Sequence, residues 1–131
     1  MRKAMLFATL LLAVVVLSGC RIQVVEITEL DDGGARIAET GDRILIRLAG
    51  NPTTGYTWIR TAPEDLCGTP LDTVEEGTCT APDQCGLVGT GGDFLFEYRA
   101  SSPGVVDLAF VYQRPWEDEP IKTFVVTVWV R

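Results

Sequence analysis

Beyond residue 20, hydrophobic positions recur with a period of two. Ile44, Ile46 and Leu48 alternate with Arg43 and Arg47, and Phe94, Phe96 and Tyr98 alternate with Asp93, Glu97 and Arg99. Val106, Leu108, Phe110 and Tyr112 form a third such face, and Phe124, Val126, Val128 and Val130 a fourth. Successive side chains of a strand point to opposite faces, so each run reads as a half-buried strand with one apolar side. No window sustains a helical period. Turn-forming clusters separate the runs: DDGG at 31–34, AGNP at 49–52, GTGG at 89–92 and SSPG at 101–104. The pattern predicts strands near 22–28, 43–49, 55–60, 71–76, 92–100, 104–113 and 121–130. About seven short strands joined by Gly/Pro turns predict an all-β, immunoglobulin-like antiparallel β-sandwich, with Trp58 as a core tryptophan.

Two segments depart from this rhythm. Residues 62–90 carry three prolines and the cysteines Cys67, Cys79 and Cys85, and alternate little outside LDTVEE. This reads as a long excursion with one short strand. The other segment is the start of the chain. Arg2 and Lys3 precede a charge-free, nearly all-apolar run from Ala4 to Leu17, too short for a membrane span of about 20 residues. It reads as a secretory signal over residues 1–19, leaving one domain over 20–131. Its ending, Leu17-Ser18-Gly19-Cys20, resembles a bacterial lipobox, which implies lipidation of Cys20 and a membrane contact through that anchor. Arg21 rather than aspartate follows, which by resemblance to Gram-negative sorting favours the outer membrane. The expected location is therefore the bacterial cell envelope.

Export makes a disulfide the natural use of Cys67, Cys79 and Cys85, with one thiol left over and the pair left open. Zinc is a poor fit: the chain has no histidine, and the C-x11-C-x5-C spacing holds no C-x-x-C knuckle. No metal or cofactor is expected. Without the signal, nine basic side chains face eighteen acidic ones. That balance argues against nucleic acid, which needs a basic patch. The absence of histidine also excludes a serine–histidine or cysteine–histidine nucleophile. Glu117, Asp118 and Glu119 adjoin on one loop, so they read as a solvated turn and not as facing catalytic carboxylates.

Three connections carry unusual chemistry. In NPTTGYTW, residues 51–58, Pro52 fixes its own φ and pushes Asn51 towards an extended conformation. Gly55 permits positive φ, and Thr53 and Thr54 sit at the tip, stiff at χ1. GTGGDF, residues 89–94, places Gly89, Gly91 and Gly92 before a strand, where backbone can approach another surface; no helix follows and no lysine is present to make it a phosphate cradle. YQRPWEDEP, residues 112–120, offers Arg114, Pro115 and Trp116 on a hairpin, and tryptophan and arginine are frequent interface anchors. In an immunoglobulin-like sandwich these three connections leave from the same end.

The ordered set, Asn51-Pro52-Thr53-Thr54-Gly55-Tyr56 with Trp58, Gly91-Gly92 before an aromatic strand, and Arg114-Pro115-Trp116, resembles the three motifs of the chagasin family. The resemblance runs from about residue 22 to the end; the cysteine-bearing excursion and the GTGG wording depart from it. It implies a reversible, non-covalent, competitive inhibitor of papain-like (clan CA) cysteine peptidases, expected as a monomer. The NPTTG tip would enter the active-site cleft, with the glycine loop on one side and Arg114 and Trp116 on the other. A non-inhibitory adhesion or scaffold lipoprotein is the alternative; it needs the sandwich and the anchor but leaves the three loops unexplained.

Overall fold

The computed structural model describes residue 19, residues 21–79 and residues 91–131. Strands β1 (Val24–Thr28), β3 (Arg43–Gly50), β5 (Leu71–Cys79) and β6 (Gly92–Ala100) form one sheet in the order β1-β3-β6-β5. Strands β2 (Ala35–Ala38), β4 (Thr57–Ala62), β7 (Gly104–Gln113) and β8 (Lys122–Val130) form the second, in the order β2-β8-β7-β4. The expected sandwich is present, with eight strands rather than seven among the described residues. The added strand is β2, a four-residue edge element, exposed at three of its positions, whose sequence ARIA shows no alternation long enough to read. The sheets are also not wholly antiparallel: β1 runs parallel to β3 and β2 parallel to β8. The cause is a single 3-10 turn, Glu29–Asp31, closed by a reciprocal cap between Thr28 and Asp31. It passes the chain from one sheet to the other, so that β1 and β2 cover one edge of the sandwich. Boundaries also move: the third predicted strand starts at Thr57 and the fourth runs on to Cys79.

All four apolar faces read from the sequence point inwards. Ile44, Ile46, Leu48, Phe96, Tyr98, Leu108, Phe110, Phe124, Val126 and Val128 are fully buried between the sheets. Phe96 and Phe110 meet edge to face across the sheets, with ring centroids 4.6 Å apart. Trp58 is buried as expected, and its indole N–H crosses the sandwich to donate to the Ala49 carbonyl at 2.9 Å.

At the other edge, β4 and β5 are joined by a polar cluster. Arg60 Nε lies 2.6 Å from Glu76 Oε1, which also accepts the Tyr98 hydroxyl at 2.6 Å; Arg60 further donates to the Pro63 carbonyl. Burial pushes the Glu76 carboxyl up, but the hydrogen bonds from Arg60 and Tyr98 outweigh it and hold it below its ordinary value. Burial, reinforced by Glu76, raises the Tyr98 phenol well above its usual value. Strand β5 is an irregular edge: its register against β6 shifts at Thr73/Glu75 and again at Glu76/Thr78, with Gly77 at φ 75°.

Cys67 is exposed and carries a free thiol. Cys20, Cys85, Gly89 and the Cys79 side chain lie outside the described residues, so the lipidation and disulfide expectations stand as made.

Trp58→Ala should lose both core volume and the bridge to Ala49, lowering the unfolding free energy by about 3–5 kcal/mol; an unchanged denaturant midpoint would contradict the packing described. For Glu76, the folded carboxylate binds its proton less tightly than the unfolded one. Its contribution is therefore present above the unfolded pKa of about 4.3 and is lost as pH falls through the lower folded value. Glu76→Gln should cost about 1 kcal/mol at neutral pH, and the gap to the parent should close in acid. A gap independent of pH would show that ionisation of Glu76 contributes nothing.

Candidate functional site

Strand polarity puts the three loops on one rim. β3 ends and β4 begins there, β6 begins there, and β7 and β8 are joined there. Gly50 and Gly92 are the last register partners of β3 and β6, so the NPTTG loop leaves the sheet beside the start of β6. A Cβ on Gly50 would lie 2.6 Å from the Phe94 ring, so only glycine fits at this junction.

The NPTTG tip is held by its own hydrogen bonds. Asn51 is extended, at φ −128° and ψ 97°, and caps a 3-10 turn over Pro52–Thr54. Its Oδ1 accepts from the Thr53 N–H at 3.1 Å and from the Thr53 hydroxyl at 2.6 Å. The Thr54 hydroxyl donates to the Asn51 carbonyl at 2.7 Å. Gly55 ends the turn at φ 81°, a conformation that a side chain would strain. Thr53 and Thr54 remain exposed at the apex.

Below the tip lies a floor of aromatic rings. Tyr112 stacks against Tyr56 at 5.3 Å, packs against Trp58 at 5.1 Å and meets Phe94 edge-on at 6.5 Å. Its hydroxyl accepts the Asn51 N–H at 2.8 Å. Tyr112 is visible in the sequence as one member of an alternating face; its hydroxyl bond to the loop is not. A buried tyrosine needs a partner for its oxygen, and this was the available signal.

The RPW hairpin leans onto the same turn. Arg114 Nε donates to the Thr54 carbonyl at 3.1 Å, its guanidinium lies 4.5 Å over the Tyr56 ring, and Nη1 pairs with Glu117 at 3.2 Å. Trp116 is 71% exposed, yet the edge of its ring covers Gly55, where a Cβ would come within 2.8 Å. Arg114 and Trp116 thus touch the NPTTG loop directly, and Pro115 is exposed between them. Of the predicted residues, the structure brings together Asn51 to Tyr56, Gly92, Arg114 and Trp116. Gly91 lies beside them, the Gly50 carbonyl 3.7 Å from where its Cβ would sit.

Among its described residues the rim shows no catalytic constellation. The chain contains no histidine, and no group of three metal-ligating side chains occurs among the described residues. It offers instead an internally hydrogen-bonded turn, two exposed threonines and one exposed indole.

The chain is similar to known proteins. The family described as chagasin family peptidase inhibitor I42 matches residues 37–128. Amoebiasin-2 of Entamoeba histolytica is 29% identical over 107 residues, covering 80% of this chain and 84% of that protein. Chagasin of Trypanosoma cruzi is 27% identical over 92 residues, covering 70% and 82% respectively. The crystal structure of the cysteine protease inhibitor EhICP2 from Entamoeba histolytica shares the fold, with a TM-score of 0.70 at 24% identity over 86% of this chain and all of that one. The chain belongs to the chagasin family of peptidase inhibitors and is not an enzyme.

Proposed function

We propose that this protein is a reversible, non-covalent, competitive inhibitor of papain-like cysteine peptidases, acting as a monomer held in the bacterial envelope by lipid on Cys20. The observation that carries the reading is the direct bracing of the NPTTG turn by Arg114 and Trp116. Thr53 and Thr54 project as the apex that enters the cleft. The turn is tight and internally bonded, so it presents no extended peptide segment for the peptidase to align and cleave. Gly91 and Gly92 leave backbone accessible on one flank, and Trp116 supplies apolar area on the other. Because the loops are ordered before contact, docking costs little further conformational entropy, and affinity follows from shape.

The test is inhibition of papain and of serine and aspartic peptidases by residues 21–131, with variants. Papain should be inhibited competitively and the other classes unaffected; papain left fully active at micromolar excess would end the proposal. Trp116→Ala should raise the inhibition constant about thirtyfold or more, about 2 kcal/mol, mainly through faster dissociation. Thr53→Ala should cost less, since threonine buries less area. Gly55→Ala should weaken inhibition as well, because it strains φ and displaces the Trp116 ring. If Trp116→Ala lowered the melting temperature while the folded fraction bound normally, Trp116 would be a packing residue and the hairpin would leave the binding edge.

A further inference from the structure

The end of the sandwich opposite the loop rim exposes Ile22, Val24, Ile37, Val105 and Trp129. We infer that this pole seats against the lipid bilayer, with Trp129 at the headgroup interface, so that the inhibitory rim points away from the membrane. The inference rests on lipidation at Cys20 as proposed above.

The placement of the chain's start carries it. β1 runs parallel to β3 and begins opposite Arg43, the residue of β3 farthest from the rim. Gln23, just before β1, is fixed at this pole twice: its N–H donates to the buried Asp42 carboxylate at 3.0 Å, and its carbonyl accepts from the Arg43 N–H at 2.9 Å. Asp42 is itself held, its other oxygen accepting the Glu39 N–H at 2.9 Å. Cys20 is three residues before Gln23, a span of at most about 11 Å when extended. β3 alone places the rim about 23 Å from the pole. A tether this short cannot reach round the domain, so lipid on Cys20 keeps the pole in the headgroup layer.

The chemistry of the pole fits that contact. On the outer face of the second sheet, Ile37, Trp129 and Val105 are register neighbours across β2, β8 and β7, and all three are exposed, Trp129 at 52%. Ile22 and Val24 add exposed apolar surface beside the tether. Three arginines of this pole are paired, Arg43 with Glu97, Arg99 with Asp72 and Arg131 with Glu39, while Arg21, next to the tether, is exposed to the headgroups. An indole with an apolar body and one N–H suits the interface between hydrocarbon and water.

The experiment uses the full chain purified with its lipid from membranes and reconstituted into vesicles of phosphatidylethanolamine and phosphatidylglycerol, with and without brominated acyl chains. Brominated lipid should quench tryptophan emission, and the quenching should be lost in Trp129→Phe and kept in Trp116→Phe. Vesicle-bound protein should inhibit papain with the same constant as soluble Cys20→Ser. Quenching lost in Trp116→Phe instead, no quenching in the parent, or inhibition by the soluble form that disappears on the vesicle would each overturn the orientation. So would the absence of acyl mass on the purified protein. Should neither soluble nor bound protein inhibit papain, the inhibitor reading fails while the quenching pattern still decides the orientation.

Discussion

Tyr112 is the residue on which the rim stands. One ring, buried at the end of β7, touches Tyr56, Trp58 and Phe94, and its hydroxyl fixes the first residue of the projecting turn. The bond from Asn51 to Tyr112 joins the β3–β4 loop to the other sheet, and the Trp58 indole makes the reverse crossing to Ala49 just below. The loop therefore inherits the rigidity of the core. Deleting either crossing would leave the turn's internal hydrogen bonds in place but free the turn as a body. That is the difference between a tip that is locally ordered and one that is correctly aimed.

Arg114 extends the same logic outwards. Its planar fork meets a carbonyl, an aromatic face and a carboxylate at once, a combination that the compact charge of lysine cannot reproduce. Part of this side chain's interaction capacity is spent within the molecule, and Trp116 is left as the exposed apolar side chain of the hairpin. Two loops from different strand pairs become one wedge, and the entropy of ordering them is met on folding rather than on binding.

How much of this could be read from the chain differs by level. The inward faces of β3, β6, β7 and β8 were legible because burial on one side of a strand writes itself as alternation, and Trp58 fell where a sandwich needs a large core residue. The extended Asn51 and the left-handed Gly55 followed from local stereochemistry. β2 was not legible, because four residues on an edge with a single buried side chain leave no period. The parallel pairings were not legible either, since direction depends on where a three-residue turn sends the chain. Nor could the grip of Arg114 on Thr54 be read: the two are sixty residues apart and meet only when both sheets are assembled. The need for glycine at position 50 is likewise set by a ring on another strand.

The broken register of β5 has a bearing on crowding. With the proposed lipid anchor, the protein would be concentrated in two dimensions, where any straight, unpaired strand edge is a template for stacking copies side by side. Among the described residues β5 is the longer edge strand of its sheet, and its two bulges interrupt the row of amide and carbonyl groups that a neighbour would have to match. The second bulge coincides with Glu76, whose carboxylate is already engaged by Arg60 and Tyr98, so the irregularity is locked in by the same contacts that close the sandwich. An edge that cannot be straightened cannot be extended, and dense packing on a surface would then leave each copy separate, with its loops unobstructed.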